Sequence, residues 1–170
     1  MTLIANVSAG SSMRAAMERR DIQAVADAFA ATAEFHSPLT GKLTFKGREQ
    51  IAALAGIVLD EFENFRYTDE IMGDEAGFLV GRAEVDGLEI EFVDHLRFGG
   101  DGRIAEITVF FRPLPAAAAA LRRIGARLGR RKSYARGAVI SILAHPLAIM
   151  TRIGDAIGAR LLRGAIGSLR

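Results

Sequence analysis

The chain has 170 residues, half of them apolar, and it contains no cysteine. A chain of this length suits one domain with some excess, and the apolar fraction is sufficient for a sizeable core. The absence of cysteine excludes disulfides, thiolate metal sites and a cysteine nucleophile, and it suits a reducing compartment such as the cytoplasm. The three histidines are not clustered, so we do not expect a dedicated metal site. We also expect no cofactor.

The sequence carries no evident targeting or membrane-spanning segment. Its N-terminal residues lack the basic start of a signal peptide. The longest nearly uncharged stretch, 137–151, is too short to cross a bilayer and is interrupted by His145-Pro146. We therefore expect a cytoplasmic protein.

The net charge of +2 conceals a division of charge along the chain. Residues 1–113, the acidic part, carry 11 Lys/Arg against 19 Asp/Glu and a net charge of −8. Residues 114–170, the basic extension, carry 11 Lys/Arg against one acidic residue and a net charge of +10. Such an asymmetry indicates two parts with different roles, so we predict a domain over 1–113 followed by an extension over 114–170.

The acidic part begins with predicted helices. Met13 and Met17, four residues apart, mark one face of a first helix. Asp21 is placed to cap a second helix that follows it. Residues 31–38 alternate in polarity and end at a proline, so we predict a short edge strand there. A third helix is predicted over 47–60.

Four strands are predicted after these helices, at 64–72, 77–85, 88–98 and 103–112. Asp86-Gly87, between the second and third of them, is a strong signal for a two-residue hairpin. Helices grouped first and strands afterwards favour an α+β fold rather than a parallel sheet. We therefore expect an antiparallel sheet that curls around the helices and keeps one face dry.

The basic extension is predicted to be helical and amphipathic. Residues 116–120 are all alanine, which favours helix strongly, and a last helix is predicted over 146–162. Three interpretations stay open: packing against the acidic part, lying on an anionic membrane surface as a peripheral protein, and contacting the phosphates of nucleic acid. Tyr134 is its one aromatic residue, so stacking on bases has little support and nucleic acid is the least favoured partner.

Asp94 interrupts the apolar face of the strand predicted at 88–98. Successive side chains of a strand alternate between faces, and the face in question carries Leu88, Ile90, Phe92, Asp94, Leu96 and Phe98. Burial of a lone carboxylate is costly, so Asp94 is expected to be paired with an arginine such as Arg82, hydrogen-bonded or protonated. A raised pKa would make it a hydrogen-bond donor or a general acid/base. Otherwise it lines a wet cavity in which no reaction occurs.

A family resemblance rests on two segments, DIQAVADAFAATAEFHSPLTG and VDHLRFGGDGRIAEITVFFRP, with a predicted helix between them. Their order and spacing resemble the nuclear transport factor 2-like (NTF2-like) superfamily, which includes ketosteroid isomerases, limonene epoxide hydrolases and SnoaL-like polyketide cyclases. The resemblance covers about residues 10–113. It implies a cone: a strongly curved sheet wrapped around the N-terminal helices, with a pocket that opens at one end. It also implies a homodimer.

The ketosteroid isomerases offer three positions for comparison. The strand that reads VDHLRF places Asp94 where the isomerases carry the aspartic acid of their oxyanion hole. Their general base precedes a proline, where this chain has Ser37 with His36 beside it, and their first-helix tyrosine falls near Met13. A serine hydroxyl needs a base of its own to abstract a proton at neutral pH. Asp94 is therefore the first catalytic candidate, and Ser37 and His36 are weaker candidates for the base.

The epoxide hydrolases use an Arg-x-Asp pair on a middle strand and a further aspartate on the last strand. Arg82 and Glu84 resemble the pair, with glutamate in place of aspartate, but Arg112 occupies the last position with the opposite charge. The resemblance to these enzymes is therefore incomplete. Arg82 and Glu84 share a strand face and could instead form a surface pair.

Phenylalanines with the right strand parity are expected to form the wall of the pocket. The full set of predicted ligand-binding residues is Phe35, Phe92, Phe111, Met13, Met17 and Arg82. Each phenylalanine taken alone is also compatible with an ordinary core position. His95 lies on the opposite strand face, which we assign to the outer or dimer surface.

Two functions follow from this reading. The first is a pocket protein for a hydrophobic small molecule that places a carbonyl or hydroxyl at Asp94. It would be either a binder or a cofactor-free enzyme of the isomerase, cyclase or lyase type. The alternative is a non-catalytic interaction module, in which Met13, Met17 or the extension fills the pocket and the basic extension binds a membrane surface or a protein partner.

Overall fold

The computed structural model describes residues 2–39, 41, 44–132, 146, 149–155 and 157. It forms two compact units, Met1–Arg112 and Pro113–Arg170. In the second unit, helix α4 spans Leu114–Lys132, so the extension begins as a helix as predicted. Of the last helix predicted over 146–162, residues 146, 149–155 and 157 are helical, and the others lie outside the described residues.

The first unit contains three helices and six strands. The helices are α1 (Thr2–Glu18), α2 (Ile22–Ala28) and α3 (Arg48–Glu61), and the strands are β1 (Phe29–His36), β2 (Thr44–Lys46), β3 (Glu63–Met72), β4 (Ala76–Val85), β5 (Leu88–Phe98) and β6 (Ile104–Arg112). The α+β class and the four consecutive strands of the sequence prediction are confirmed, the strands to within one residue at each end.

The six strands form one curved, unclosed sheet in the order β2-β1-β6-β5-β4-β3. All neighbours are antiparallel except β1 and β6, which run parallel. Register shifts in the pairings of β1, β3 and β5 with their neighbours bend the sheet, because an extra residue in one strand increases its local twist. Helices α1, α2 and α3 cover the inner face, and the fold of this unit is the NTF2-like cone.

One element of the sequence prediction is wrong. The strand predicted at the sheet edge is β1, and it lies between β2 and β6. The edge is β2, which the sequence did not reveal because three residues are too few for an alternating pattern. The proline that suggested an edge, Pro38, lies after the end of β1 and disturbs no ladder.

Three local features predicted from the sequence are present in the structure. The Asp21 side chain accepts a hydrogen bond from the backbone N–H of Ala24 at 3.0 Å and caps α2. Asp86 and Gly87 both have positive φ angles, 52° and 69°, as a type I′ hairpin requires. On β5 the buried residues are Ile90, Phe92, Asp94 and Leu96, so the predicted alternation is confirmed. The ring of His95 stacks on Phe78 on the outer face.

Gly81 permits the aromatic packing of the inner face. It lies on β4 opposite Tyr67 of β3 and Phe92 of β5. A Cβ at this position would come within 2.2 Å of Phe92 Cζ and 2.8 Å of the backbone oxygen of Arg66. Because Gly81 has no side chain, the rings of Tyr67 and Phe92 meet over β4 with centroids 5.5 Å apart.

We therefore expect Gly81→Ala to destabilise the fold by about 1–3 kcal/mol, since the added methyl displaces either the Phe92 ring or the backbone of β3. The matched control is Gly100→Ala, at a position where a Cβ meets nothing within 4 Å, and it should change stability by less than about 1 kcal/mol. Urea unfolding measures both. Equal effects of the two substitutions would contradict this account of Gly81.

Candidate functional site

A cavity of about 70 Å³ lies between the inner face of the sheet and the helices. Its wall is almost entirely apolar. Six of the nine residues predicted for the site line it: Asp94, Phe35, Phe92, Phe111, Met13 and Met17. The two methionines come from successive turns of α1, and the phenylalanines come from β1, β5 and β6.

Among the described residues that line this wall, Asp94 and Tyr67 are the two with polar side chains, and they are bonded to each other. The Tyr67 hydroxyl donates to Asp94 Oδ2 at 2.8 Å. Both residues are buried, with 5% and 4% of their surface exposed. Tyr67 reaches Asp94 from β3 across β4, over the space that Gly81 leaves open.

Burial controls the charge of Asp94. Removal from water disfavours the carboxylate and raises the pKa of Asp94 to about 7, although the hydrogen bond from Tyr67 acts in the opposite direction. Burial and the neighbouring carboxyl raise the pKa of Tyr67 well above its usual value. Tyr67 therefore stays protonated and donates, whereas Asp94 changes charge near neutral pH.

The Tyr67 hydroxyl is the one hydrogen-bond partner of the Asp94 side chain within the described part of the chain. The carboxyl group has a second oxygen, Oδ1, and buried polar atoms in native proteins are almost always bonded. Asp94 lines the cavity. A ligand in that cavity is therefore a natural partner for the second oxygen.

Arg82 is not the partner of Asp94, contrary to the sequence expectation. Its side chain lies on the outer face of β4 and forms ion pairs with Glu89 at 3.2 Å and Glu91 at 2.8 Å. The alternative pairing of Arg82 with Glu84 is also wrong, since Glu84 accepts a hydrogen bond from Asn64 instead. Strand alternation separates Arg82 from the cavity.

His36 and Ser37 do not line the cavity. His36 shares a sheet face with Glu106, and its Nε2 lies 3.5 Å from Glu106 Oε1. Phe35, its neighbour, points the opposite way into the cavity wall. The Ser37 hydroxyl accepts the backbone N–H of Leu39 at 3.1 Å in a local turn. The structure thus separates both candidate bases from Asp94, and their predicted role stays a prediction.

Tyr67 is the residue of this site that the sequence reading missed. The available signal was its parity on the predicted strand 64–72, where it shares a face with Phe65, together with its being the only tyrosine of residues 1–113. That signal places a hydroxyl on an apolar face. It does not reveal that Gly81 leaves the inner face of β4 open between Tyr67 and Asp94, which is what lets the hydroxyl reach Asp94.

Comparison with known proteins agrees with this architecture. A model described as SnoaL-like domain matches residues 11–107, and the chain belongs to this family. No curated protein sequence matches the chain. Within the described residues, no helix has the length and apolar character needed to cross a membrane.

Several solved structures share the fold. A steroid delta-isomerase from Pseudomonas aeruginosa is 24% identical with a TM-score of 0.69, over 76% of this chain and 95% of that one. A cystatin-like fold protein from Silicibacter pomeroyi is 23% identical with a TM-score of 0.68, over 76% and 93%. SalBIII, an epoxide hydrolase/cyclase-like enzyme in pyran ring formation, is 15% identical with a TM-score of 0.52, over 63% and 90%. At these identities the similarity establishes the fold alone.

The raised pKa of Asp94 has a consequence for stability. In the unfolded chain this carboxyl has a pKa near the ordinary value of 3.8, and in the folded chain its pKa is about 7. Between these values the folded state holds a proton that the unfolded state has lost, so stability falls as pH rises from about 4 to about 7. The contribution lost is on the order of 4 kcal/mol.

Asp94→Asn removes this titration with little change in shape. We therefore expect the stability of the variant relative to wild type to increase by several kcal/mol between about pH 4 and about pH 8, measured by urea unfolding across that range. Asp69→Asn, at an exposed position on β3, is the matched control for the loss of one carboxyl group. A difference for Asp94→Asn that does not change with pH would mean that Asp94 ionises normally.

Proposed function

We propose that this protein binds a small hydrophobic molecule in the cavity and that the protonated carboxyl of Asp94 donates a hydrogen bond to a carbonyl or hydroxyl oxygen of that molecule. The observation that carries the proposal is a buried carboxyl in a largely apolar cavity wall, which among the described residues is bonded through one oxygen to a neutral hydroxyl and to nothing else. Apolar pockets with a few convergent polar groups are the usual form of small-molecule sites.

The pair is suited to stabilising negative charge on a ligand oxygen. Tyr67 donates to Oδ2 of Asp94, which polarises the carboxyl and strengthens the donation from its other oxygen. Donors held in place in a dry site stabilise charge that develops in a transition state, and they do so without reorganising. Because the Asp94 pKa is about 7, the group can also give and take a proton at neutral pH.

This chemistry favours an isomerisation, which includes ring closure within one molecule. Asp94 gives its proton to an ether oxygen of the ligand as one of the two C–O bonds of that oxygen breaks, and the oxygen stays in the ligand as a hydroxyl. A hydroxyl of the same ligand forms the new C–O bond and returns its proton to the Asp94 carboxylate. One carboxyl suffices for both transfers, which suits a cavity whose described wall contains a single carboxyl. The names of the isomerase and cyclase-like neighbours lend this class support.

The volume of the cavity limits the ligand. About 70 Å³ is less than half of the ~150 Å³ of an apolar cavity that admits benzene. The ligand is therefore small, or the wall moves to admit it. Met13 and Met17 form the part of the wall best able to move, since methionine is unbranched and has several rotatable bonds.

A matched pair of ligands tests the proposal. Cyclopentanone and methylenecyclopentane have nearly the same shape, and only the ketone can accept a hydrogen bond. We expect the ketone to bind about 2- to 12-fold more tightly near pH 5.5, as one net hydrogen bond allows. The advantage should disappear near pH 8.5, where the Asp94 carboxylate has no proton to donate. Dissociation constants come from NMR titration.

Asp94→Asn provides the control, since its amide donates at every pH and should make the preference for the ketone independent of pH. Met17→Ala enlarges the cavity and serves as a second host for the same ligands. If neither ligand binds to wild type or to Met17→Ala, the alternative of a non-catalytic module is favoured. A preference for the ketone that grows with pH would also contradict the proposal.

A homodimer is the second part of the proposal. The outer face of the sheet exposes large apolar side chains, with Ile71, Phe78 and Phe110 between 41% and 65% exposed. They lie on neighbouring strands around the stacked ring of His95. Large apolar side chains exposed on one face of a sheet indicate an association surface, and a second copy of the chain would cover them.

We therefore expect Phe110→Glu to weaken self-association at least tenfold, because it buries a charge in the interface of the dimer. Gln23→Glu, on the exposed side of α2, carries the same change in charge away from the patch and should leave association unchanged. Sedimentation velocity over a range of concentrations measures both. A wild-type chain that stays monomeric at the highest concentration would rule the dimer out.

A further inference from the structure

The backbone of Tyr67 is held from outside the sheet by side chains of α1. β3 is an edge strand, and polar backbone groups on an edge need partners other than a strand. Glu18 Oε1 accepts the N–H of Tyr67 at 3.3 Å, and Arg14 Nη2 donates to the carbonyl of Tyr67 at 3.4 Å. One helix therefore bonds both backbone groups of the residue that contacts Asp94.

These bonds belong to a larger polar cluster on one stripe of α1. Arg14 lies 3.5 Å from Glu18 within the helix and 3.3 Å from Glu70 of β3. The Ser11 hydroxyl also bonds Glu70. Positions 11, 14 and 18 repeat at helical spacing and so share a face. We call Arg14, Glu18 and Glu70 the α1 clamp.

The α1 clamp contributes little to the free energy of unfolding, but it constrains the position of Tyr67. Its charged side chains are between 22% and 38% exposed, and exposed ion pairs contribute about 0–1 kcal/mol. The two hydrogen bonds to the backbone of Tyr67 constrain the position of its Cα atom, from which the side chain extends. The pairing of β3 with β4 shifts register between Tyr67 and Asp69, so the strand pairing alone fixes the position of Tyr67 less firmly.

We infer that Arg14 and Glu18 are positioning residues that hold the Tyr67 hydroxyl on Asp94 and thereby set how the carboxyl of the proposed ligand site titrates. The inference rests on the proposed function, because it assigns a role in the same site. Neither residue touches the cavity, since neither lines it. They act through the backbone of Tyr67.

The direction in which loss of the α1 clamp shifts the pKa of Asp94 follows from the hydrogen bond between Tyr67 and Asp94. Donation from Tyr67 lowers the pKa of Asp94 relative to what burial alone imposes. A loosened clamp weakens that donation, so the Asp94 pKa rises. The titratable and charged groups that face this pair are few: Tyr67 faces Asp94 within the cavity, and Glu18 and Arg14 act on Tyr67. Neither Glu18 nor Arg14 is among the causes that shift Asp94 itself.

Substitutions at Glu18 separate a positioning role from a simple effect of charge. If Glu18 acted on Asp94 through its charge, its removal would lower the pKa of Asp94, and Glu18→Ala and Glu18→Gln would do so equally. If it positions Tyr67, Glu18→Ala raises the pKa, whereas Glu18→Gln keeps an oxygen that accepts the Tyr67 N–H and stays near wild type. The two explanations predict opposite signs.

The experiment is a carbon NMR titration of the Asp94 carboxyl in the full chain, assigned with Asp94→Asn. We expect Glu18→Ala and Arg14→Ala each to raise the midpoint by roughly half to one pH unit, as the loss of about one hydrogen bond allows. Ser12→Ala, at an exposed position on α1, should leave it unchanged. If Glu18→Ala fails to fold, Arg14→Ala replaces it and is repeated in Tyr67→Phe, where a positioning role predicts no change, because loss of the Arg14 charge alone would also raise the pKa of Asp94.

Tyr67→Phe completes a double-mutant cycle. It removes the hydroxyl, so adding Glu18→Ala to it should change the midpoint no further. A rise with Tyr67→Phe together with no change in Glu18→Ala and Arg14→Ala would overturn the inference and leave the proposed function standing. A wild-type midpoint near the ordinary value for aspartate would instead overturn the proposed function, and the clamp would still be judged by the differences between variants.

Discussion

The burial of one carboxyl against an uncharged partner is the constraint on which the rest of this site depends. Asp94 lies on the dry face of β5, where a lone carboxylate is costly. An arginine partner would have held it ionised, as charge pairing lowers the pKa of an acid. Tyr67 supplies a hydrogen bond without a charge. The carboxyl is therefore satisfied on one oxygen and left free to change charge near neutral pH.

This arrangement places specific demands on the sheet around it. A phenol on β3 can reach β5 only if β4 presents no side chain between them, and Gly81 meets that requirement. Phe65 and Phe92 then stack with their centroids 5.0 Å apart and close the wall beside the pair. The absence of a side chain at Gly81 lets these aromatic rings pack beside Asp94 and exclude water from it. The same absence lets the Tyr67 hydroxyl reach Asp94, so the low hydration of the site and the geometry of its hydrogen bond have one cause.

The sequence predicts those features that depend on local periodicity. The alternation of 88–98 places Asp94 on the inner face, and the cap at Asp21 and the hairpin at Asp86-Gly87 depend on neighbours in the chain. Two of the failures involve contacts between residues that are distant in the chain. The partner strands of β1 depend on strand order, and the reach of Tyr67 to Asp94 depends on the absence of a side chain at Gly81. Arg82 is a different case, since alternation alone places it on the outer face and weighs against its pairing with Asp94.

Helix α1 connects the size of the cavity to the titration of its acid. Met13 and Met17 form part of the cavity wall, while Arg14 and Glu18, each one position further along, bond to the backbone of β3. A shift of α1 that moved the methionines to admit a ligand would also move the groups that hold Tyr67. Movement of this one helix would then couple the entry of a ligand to the loss of the hydrogen bond that Tyr67 donates to Asp94. Because weaker donation raises the pKa of Asp94, such a shift favours the protonated acid when a ligand oxygen arrives to accept its hydrogen bond.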